Sequence, residues 1–146
     1  GLAHLSCLVR QGEMAVKEKE EWNTGVGIQK WQACFDCGQN FHGPVYAALG
    51  WAAWKTYLGR SEADGYRGAA LGCLGNALRS SGRNAEALPV FEATMALLRR
   101  YATDEDNVLI QQHNFASCLG ALGREDEALV LRRETYARRV ATLGIS

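Results

Sequence analysis

The stretch LGNALRSSGRNAEALPVFEATMALLRR, Leu74 to Arg100, returns further along the chain as FASCLGALGREDEALVLRRETYARRV, Phe115 to Val140. At an offset of 41 residues Leu78 falls on Leu119, Gly82 on Gly123, Arg83 on Arg124 and Glu86 on Glu127. The same offset pairs Ala87 with Ala128, Leu88 with Leu129 and Thr94 with Thr135. Self-similarity at a period of about 20 to 50 residues marks stacked repeat units, each unable to bury its apolar face alone. The chain is therefore expected to be mainly α, built of antiparallel helical hairpins stacked as a solenoid.

Working outward, the segment from residue 64 onward reads as four helices over 64–81, 84–101, 104–122 and 125–142. Gly82 and Gly123 end the first and third, where a left-handed residue commonly closes a helix. The turns hold only two or three residues, so successive helices must run antiparallel. Acidic residues at 104–106 favour the positive end of the helix they open.

Ahead of the repeats, VYAALGWAAWKTYL carries Tyr46, Leu49, Trp51, Trp54 and Leu58 around most of a helix circumference, which predicts a sandwiched helix over 44–58. Pro44 suits its first turn, and Ser61 or Asp64 suits the cap of the next helix. The stretch KWQACFDCGQNFHG, aromatic on both sides of C-x-x-C, predicts two brief strands around a turn. Leu5, Leu8 and Val9 recur near helical spacing, giving a helix from Ala3 to about Glu20 that ends in the charged run KEKEE. Asn23, Thr24, Gly25 and Gly27 form the loop behind it.

Sixteen Lys and Arg balance sixteen Asp and Glu, for a formal net charge of zero. No general attraction to nucleic acid or an anionic membrane follows. No apolar run reaches the roughly 20 residues of a membrane span. Five cysteines, two of them close together, do not read as a disulfide framework and point to an intracellular, cytoplasmic setting. The N-terminus GLAHLSCLVR has neither an initiator Met nor a signal-peptide layout, so the chain reads as a piece cut from something longer.

The two copies resemble tetratricopeptide repeats, of the longer-period kind found in kinesin light chains. Gly75 and Ala116 match that family's small residue in the first helix, Gly82 and Gly123 its turn glycine, and Ala87 and Ala128 its alanine early in the second helix. Small residues let the helices of a hairpin approach, while Leu78, Leu88, Phe91, Leu119 and Leu129 are expected to fill the space between repeats. Two departures stand out. An aromatic expected two residues after the turn glycine is Asn84 or Glu125, and Phe91 has Arg132 as its second-copy counterpart. The resemblance implies two repeats over 64–146, with 44–63 as a capping helix. Further repeats are expected beyond Ser146, since stable arrays need about three or more. It also implies a protein or peptide partner on the concave face of the first helices, where Asn76, Arg79, His113, Asn114 and Ser117 fall.

His4-x-x-Cys7 and Cys34-x-x-Cys37 are the residues whose spacing suggests chemistry. Two thiolates on a tight knuckle suit two corners of a tetrahedral zinc site, and His4 with Cys7 complete a four-ligand set. His42 offers a further C-x-x-C-x4-H arrangement. In order, H-x-x-C, a helix and W-x-x-C-x-x-C-x-Q-x-F-x-G resemble the second half of a RING-variant (RING-CH) zinc finger over 1–43. That resemblance implies cross-braced sites, with His4 and Cys7 on one zinc and Cys34 and Cys37 on the other. Half of each site would lie upstream of Gly1, so zinc is expected of the full-length protein rather than of this fragment.

Cys73 and Cys118 sit among apolar neighbours and read as small core residues. No nucleophile elbow, phosphate loop, H-E-x-x-H or paired-carboxylate arrangement is present. The expected function is thus a non-catalytic protein–protein interaction module. Its alternative is a fragment of a RING-type E3 ubiquitin ligase, in which the finger recruits a ubiquitin-conjugating enzyme and the repeats select substrate.

Overall fold

The computed structural model describes residues 5–22, 28–34, 37–101 and 105–144. Among the described residues six helices follow one another: α1 (Leu5–Trp22), α2 (Gly43–Tyr57), α3 (Gly65–Ser80), α4 (Asn84–Tyr101), α5 (Glu105–Ala121) and α6 (Glu125–Leu143), with a 3-10 turn, Gln29–Trp31, before α2. The five helices expected from α2 onward are present to within one or two residues. The loop expected at 23–27 lies outside the described residues, as does His4.

The repeated G-R-x-x-E-A motif makes the same joint twice. At the end of α3 the Gly82 N–H donates to Arg79 O (3.0 Å) and the Arg83 N–H to Leu78 O (3.0 Å). At the end of α5 the Gly123 N–H donates to Gly120 O (3.0 Å) and the Arg124 N–H to Leu119 O (3.0 Å). This bond pattern satisfies helix-end carbonyls only if the closing residue is left-handed, and both glycines have φ +76°. The arginine then grips the next helix. Arg83 donates through Nε and Nη2 to both carboxylate oxygens of Glu86 (2.7 and 2.6 Å), and Arg124 does the same to Glu127 (2.7 and 2.7 Å). These forks hold Glu86 and Glu127 below the usual carboxylate range. Both pairs are exposed, so they orient the turn more than they stabilise it.

The α2–α3 corner is held differently. The Tyr66 N–H donates to Asp64 Oδ1 (2.8 Å), which makes Asp64 the cap of α3. Arg60 pairs with Asp64 (3.2 Å) and lies 4.8 Å from the centre of the Tyr57 ring. Close approach then sets the stack. A Cβ on Gly50 would stand 2.7 Å from Ala77 Cβ, one on Gly75 2.9 Å from Phe91 Cε1, and one on Gly72 2.6 Å from Gln111 Nε2. Helix α3 thereby touches α2, α4 and α5 through three glycines. Leu74, Leu78, Ala87, Phe91 and Cys118 form one buried cluster, which Leu88 and Phe115 adjoin.

A second cluster joins the N-terminal segment to the repeats: Trp31, Tyr46, Leu49, Ala53, Tyr57, Ala70, Cys73 and Ala77, with Leu8, Val9 and Phe41 packed on it. Trp31 is fully buried under α1, where a Cβ on Gly12 would meet its ring at 2.8 Å.

Three expectations need correction. No strands form among the described residues around the C-x-x-C; the turn carries one isolated antiparallel bridge, Ala33 to Asn40. The segment commits Gln29–Trp31 to a 3-10 turn that drives Trp31 into the core, leaving too little extended chain for a ladder. Helix α2 is not sandwiched all round, since Val45, Trp51 and Leu58 are exposed. Leu129, expected to fill an inter-repeat space, is 45% exposed: among the described residues no helix lies over it as α5 lies over the corresponding Leu88.

Candidate functional site

On α3, Gly72, Asn76 and Arg79 are four and then three residues apart, which places them on one stripe of the helix. The contact of Gly72 with Gln111 turns that stripe toward α5. Asn76 and Arg79 are half-buried, yet Asn76 Oδ1 and Arg79 Nε are shut off from solvent with no hydrogen-bond partner. Gln111, only 7% exposed, likewise has an unpartnered Oε1. Polar atoms buried without a partner cost about 1–3 kcal/mol each. A ligand or water that supplies the missing bond to one of these atoms gains affinity.

On α5, His113 is exposed, and Asn114 and Ser117 are half-buried. Ser117 Oγ donates to His113 O (2.9 Å), so its proton is already committed to its own helix. Among the described residues no hydrogen bond links Asn76 or Arg79 to His113, Asn114 or Ser117. The two helices offer separate polar groups rather than a prebuilt network. Gln111 was missed in the sequence. Its signal is the repeat offset, which places it on Ala70: a glutamine where the first copy has a buried alanine.

The charge of Arg79 is felt nearby. Burial raises the Cys118 thiol above its ordinary value, while Arg79 and Arg124 pull it back. Cys118 Sγ is engaged with Asn84 O at 3.4 Å, and both Cys118 and Cys73 are buried, as expected.

At the other end, Cys7 is exposed on α1, Cys34 is half-buried and Cys37 is exposed. Backbone bonds tie the described residues on either side of this pair: the Gly38 N–H donates to Cys34 O (2.9 Å), the Cys34 N–H donates to Gln39 O (2.8 Å), and Gly38 has φ +71°. Among the described residues, no three His, Cys, Asp or Glu side chains come together as a metal site. His42 is exposed and joins no such group.

The family pattern for the tetratricopeptide repeat matches residues 66–139, the span of α3 to α6. The chain belongs to the tetratricopeptide repeat family. No curated protein and no solved structure matches it. Tetratricopeptide repeats are protein–protein interaction scaffolds and are generally non-catalytic. No helix among the described residues is long and apolar enough to cross a membrane.

Proposed function

We propose that this chain is a non-catalytic scaffold that holds an extended peptide or protein segment along the α3/α5 face, through Asn76, Arg79, His113, Asn114 and Ser117, with Gln111 added to that set. The observation that carries the reading is the trio of buried, unpartnered atoms, Asn76 Oδ1, Arg79 Nε and Gln111 Oε1. An extended backbone supplies alternating N–H and C=O groups, and a carboxylate suits the Arg79 guanidinium. The 41-residue spacing of Gly82 and Gly123 supports a long-period, kinesin light chain-like array, with 44–63 as its cap. The test is to select binders from a random peptide library on the whole chain and measure them against Asn76→Ala, Arg79→Ala and Asn114→Ala. Loss of at least about tenfold in affinity, or 1.4 kcal/mol, is expected for Arg79→Ala. If every selected peptide ignores all three substitutions, the reading fails.

A second reading is favoured by the Cys34–Gly38 turn, whose backbone bonds and left-handed glycine suit a metal knuckle. In it residues 1–43 are half of a RING-variant finger, and the full-length protein is a ubiquitin ligase whose finger meets a conjugating enzyme. Zinc, a structural ion there, would take His4, Cys7, Cys34 and Cys37. Among the described residues no such group of ligands comes together, so no step is derived through zinc. Metal analysis of the purified chain beside Cys34→Ser and Cys37→Ser decides it. Equal zinc in all three proteins would remove this reading.

A further inference from the structure

In the first hairpin α5 covers α4 along the stripe Leu88, Phe91, Met95 and Leu98. Leu88 adjoins the cluster that holds Cys118, the Phe91 ring lies 6.1 Å from that of Phe115, and Met95 and Leu98 pack with Val108. At the 41-residue offset the same stripe of α6 reads Leu129, Arg132, Tyr136 and Arg139. All four are exposed, Tyr136 at 72%. An occupant of the kind that covers α4 would bury two guanidinium groups where Phe91 and Leu98 stand. A buried charge is tolerated only when it is paired. What covers this stripe must bring carboxylates as well as apolar surface.

Helix α6 itself carries both halves of such a surface. Its first turn is acidic, with Glu125, Asp126 and Glu127, and the remainder is basic, with Arg132, Arg133, Arg138 and Arg139 against Glu134. Some of these charges are already engaged: Glu127 by Arg124 (2.7 Å), Glu125 by Arg132 (3.9 Å) and Arg138 by Glu105 (3.7 Å). Glu134 lines a hollow with Met95 and Leu98 of α4, away from the stripe. Asp126 and Arg139 make no ion pair among the described residues. They stand about 20 Å apart along the helix, at 1.5 Å per residue, so neither can reach the other within one chain.

We propose that two copies of this chain pair through α6, antiparallel about a two-fold axis, so that the acidic end of each helix lies on the basic end of the other. Tyr136 of each copy comes against Arg132 of the other. The chain already makes such arginine–ring contacts, Arg60 on Tyr57 (4.8 Å) and Arg67 on Trp54 (5.8 Å). Arg139 comes over Leu129 of the second copy and within reach of its Asp126, and the symmetry makes each contact twice. Another exposed apolar stripe, Trp51, Lys55 and Leu58 on α2, would meet Arg132 and Arg139 with a cation. Charge therefore favours α6 on α6 over a head-to-tail stack.

The test is sedimentation equilibrium of the whole chain from micromolar to near-millimolar concentration, at low and high salt. The expected result is a monomer–dimer equilibrium that weakens as salt rises. Arg139→Glu or Asp126→Arg alone sets like charges against each other twice per dimer, and should weaken pairing at least about tenfold. Together the two substitutions restore opposite charges across the axis, so the doubly substituted chain should pair like the parent. That rescue cannot arise within one chain, given the distance along the helix. Both positions are exposed, and melting curves check that all three variants fold. Trp51→Ala should leave pairing unchanged. The proposal is overturned if the chain stays monomeric throughout, or if a dimer ignores the single charge reversals. A double variant as weak as the singles, or dissociation by Trp51→Ala, overturns it equally.

Discussion

Gly75 on α3 lies against the ring of Phe91 on α4, so close that a Cβ would stand 2.9 Å from the ring. The first hairpin is closed by this pair. In the second, the same places hold Ala116 and Arg132, and the Arg132 guanidinium lies beside Gly120 of α5, 3.9 Å from Glu125.

Gly75→Ala should therefore destabilise the chain although alanine is the better helix former. Overpacking costs about 1–3 kcal/mol, against about 1 kcal/mol regained in helix propensity. Phe91→Leu in the same background should recover part of the loss by withdrawing the ring. Urea unfolding of the single and double variants checks this. A Gly75→Ala protein as stable as the parent would mean that α4 shifts freely.

Gly82→Ala and Gly123→Ala test a different cost. Neither glycine has an atom within 4 Å of a built Cβ, so space is not the obstacle; the positive φ is. Each substitution should lower stability by about 1–2 kcal/mol, the penalty for an L-residue in the left-handed region. Gly59→Ala is the control. It too has nothing within 4 Å but lacks a positive φ, so it should be neutral or slightly stabilising. Equal melting temperatures for all three variants would contradict the role of the turn.

What the sequence made legible follows from this. The 41-residue repeat carries its own joints, and local chemistry at Gly82, Arg83 and Glu86 fixes a hairpin wherever it recurs. The helix bounds could be read because those joints are local. The behaviour of Trp31 and Leu129 could not. Whether an apolar side chain is covered depends on which distant helix arrives, and that information lies in no window around it. The same holds for the candidate site. Asn76 and Arg79 were visible as polar residues on a first helix, but only packing reveals that polar atoms of each are enclosed, and that Gln111 meets the same helix at Gly72.

The N-terminal segment offers a third prediction. Trp31 is fully buried and meets α1 at Gly12, within the cluster that also holds Tyr46, Leu49 and Tyr57. Gly12→Leu should push the indole out. A red shift of tryptophan emission and a loss of about 1–3 kcal/mol are expected. Trp31→Phe in the same background should abolish the shift. Emission unchanged by Gly12→Leu would mean that α1 does not press on the core.

Cys73 sets the alkaline limit. Burial pushes its thiol up to about 11 from an ordinary 9.0, with bonds to Gln32 and Tyr46 pulling slightly back. Burial also raises the Tyr46 hydroxyl, which faces Cys73. The neutral thiol is the form the fold accepts, and the unfolded chain loses that proton first. Its contribution is thus complete below about pH 9 and declines as pH climbs toward 11, by at most about 1.4 kcal/mol per pH unit. Cys73→Ala, less stable at neutral pH through lost packing, should show a shallower fall across that window. Thiol labelling gives an independent reading at pH 8: Cys7 and Cys37, exposed, should react at once, while Cys73 and Cys118 wait for unfolding. Identical alkaline slopes for Cys73→Ala and the parent would assign the limit to Tyr46 and Tyr57 instead, both of which burial also raises.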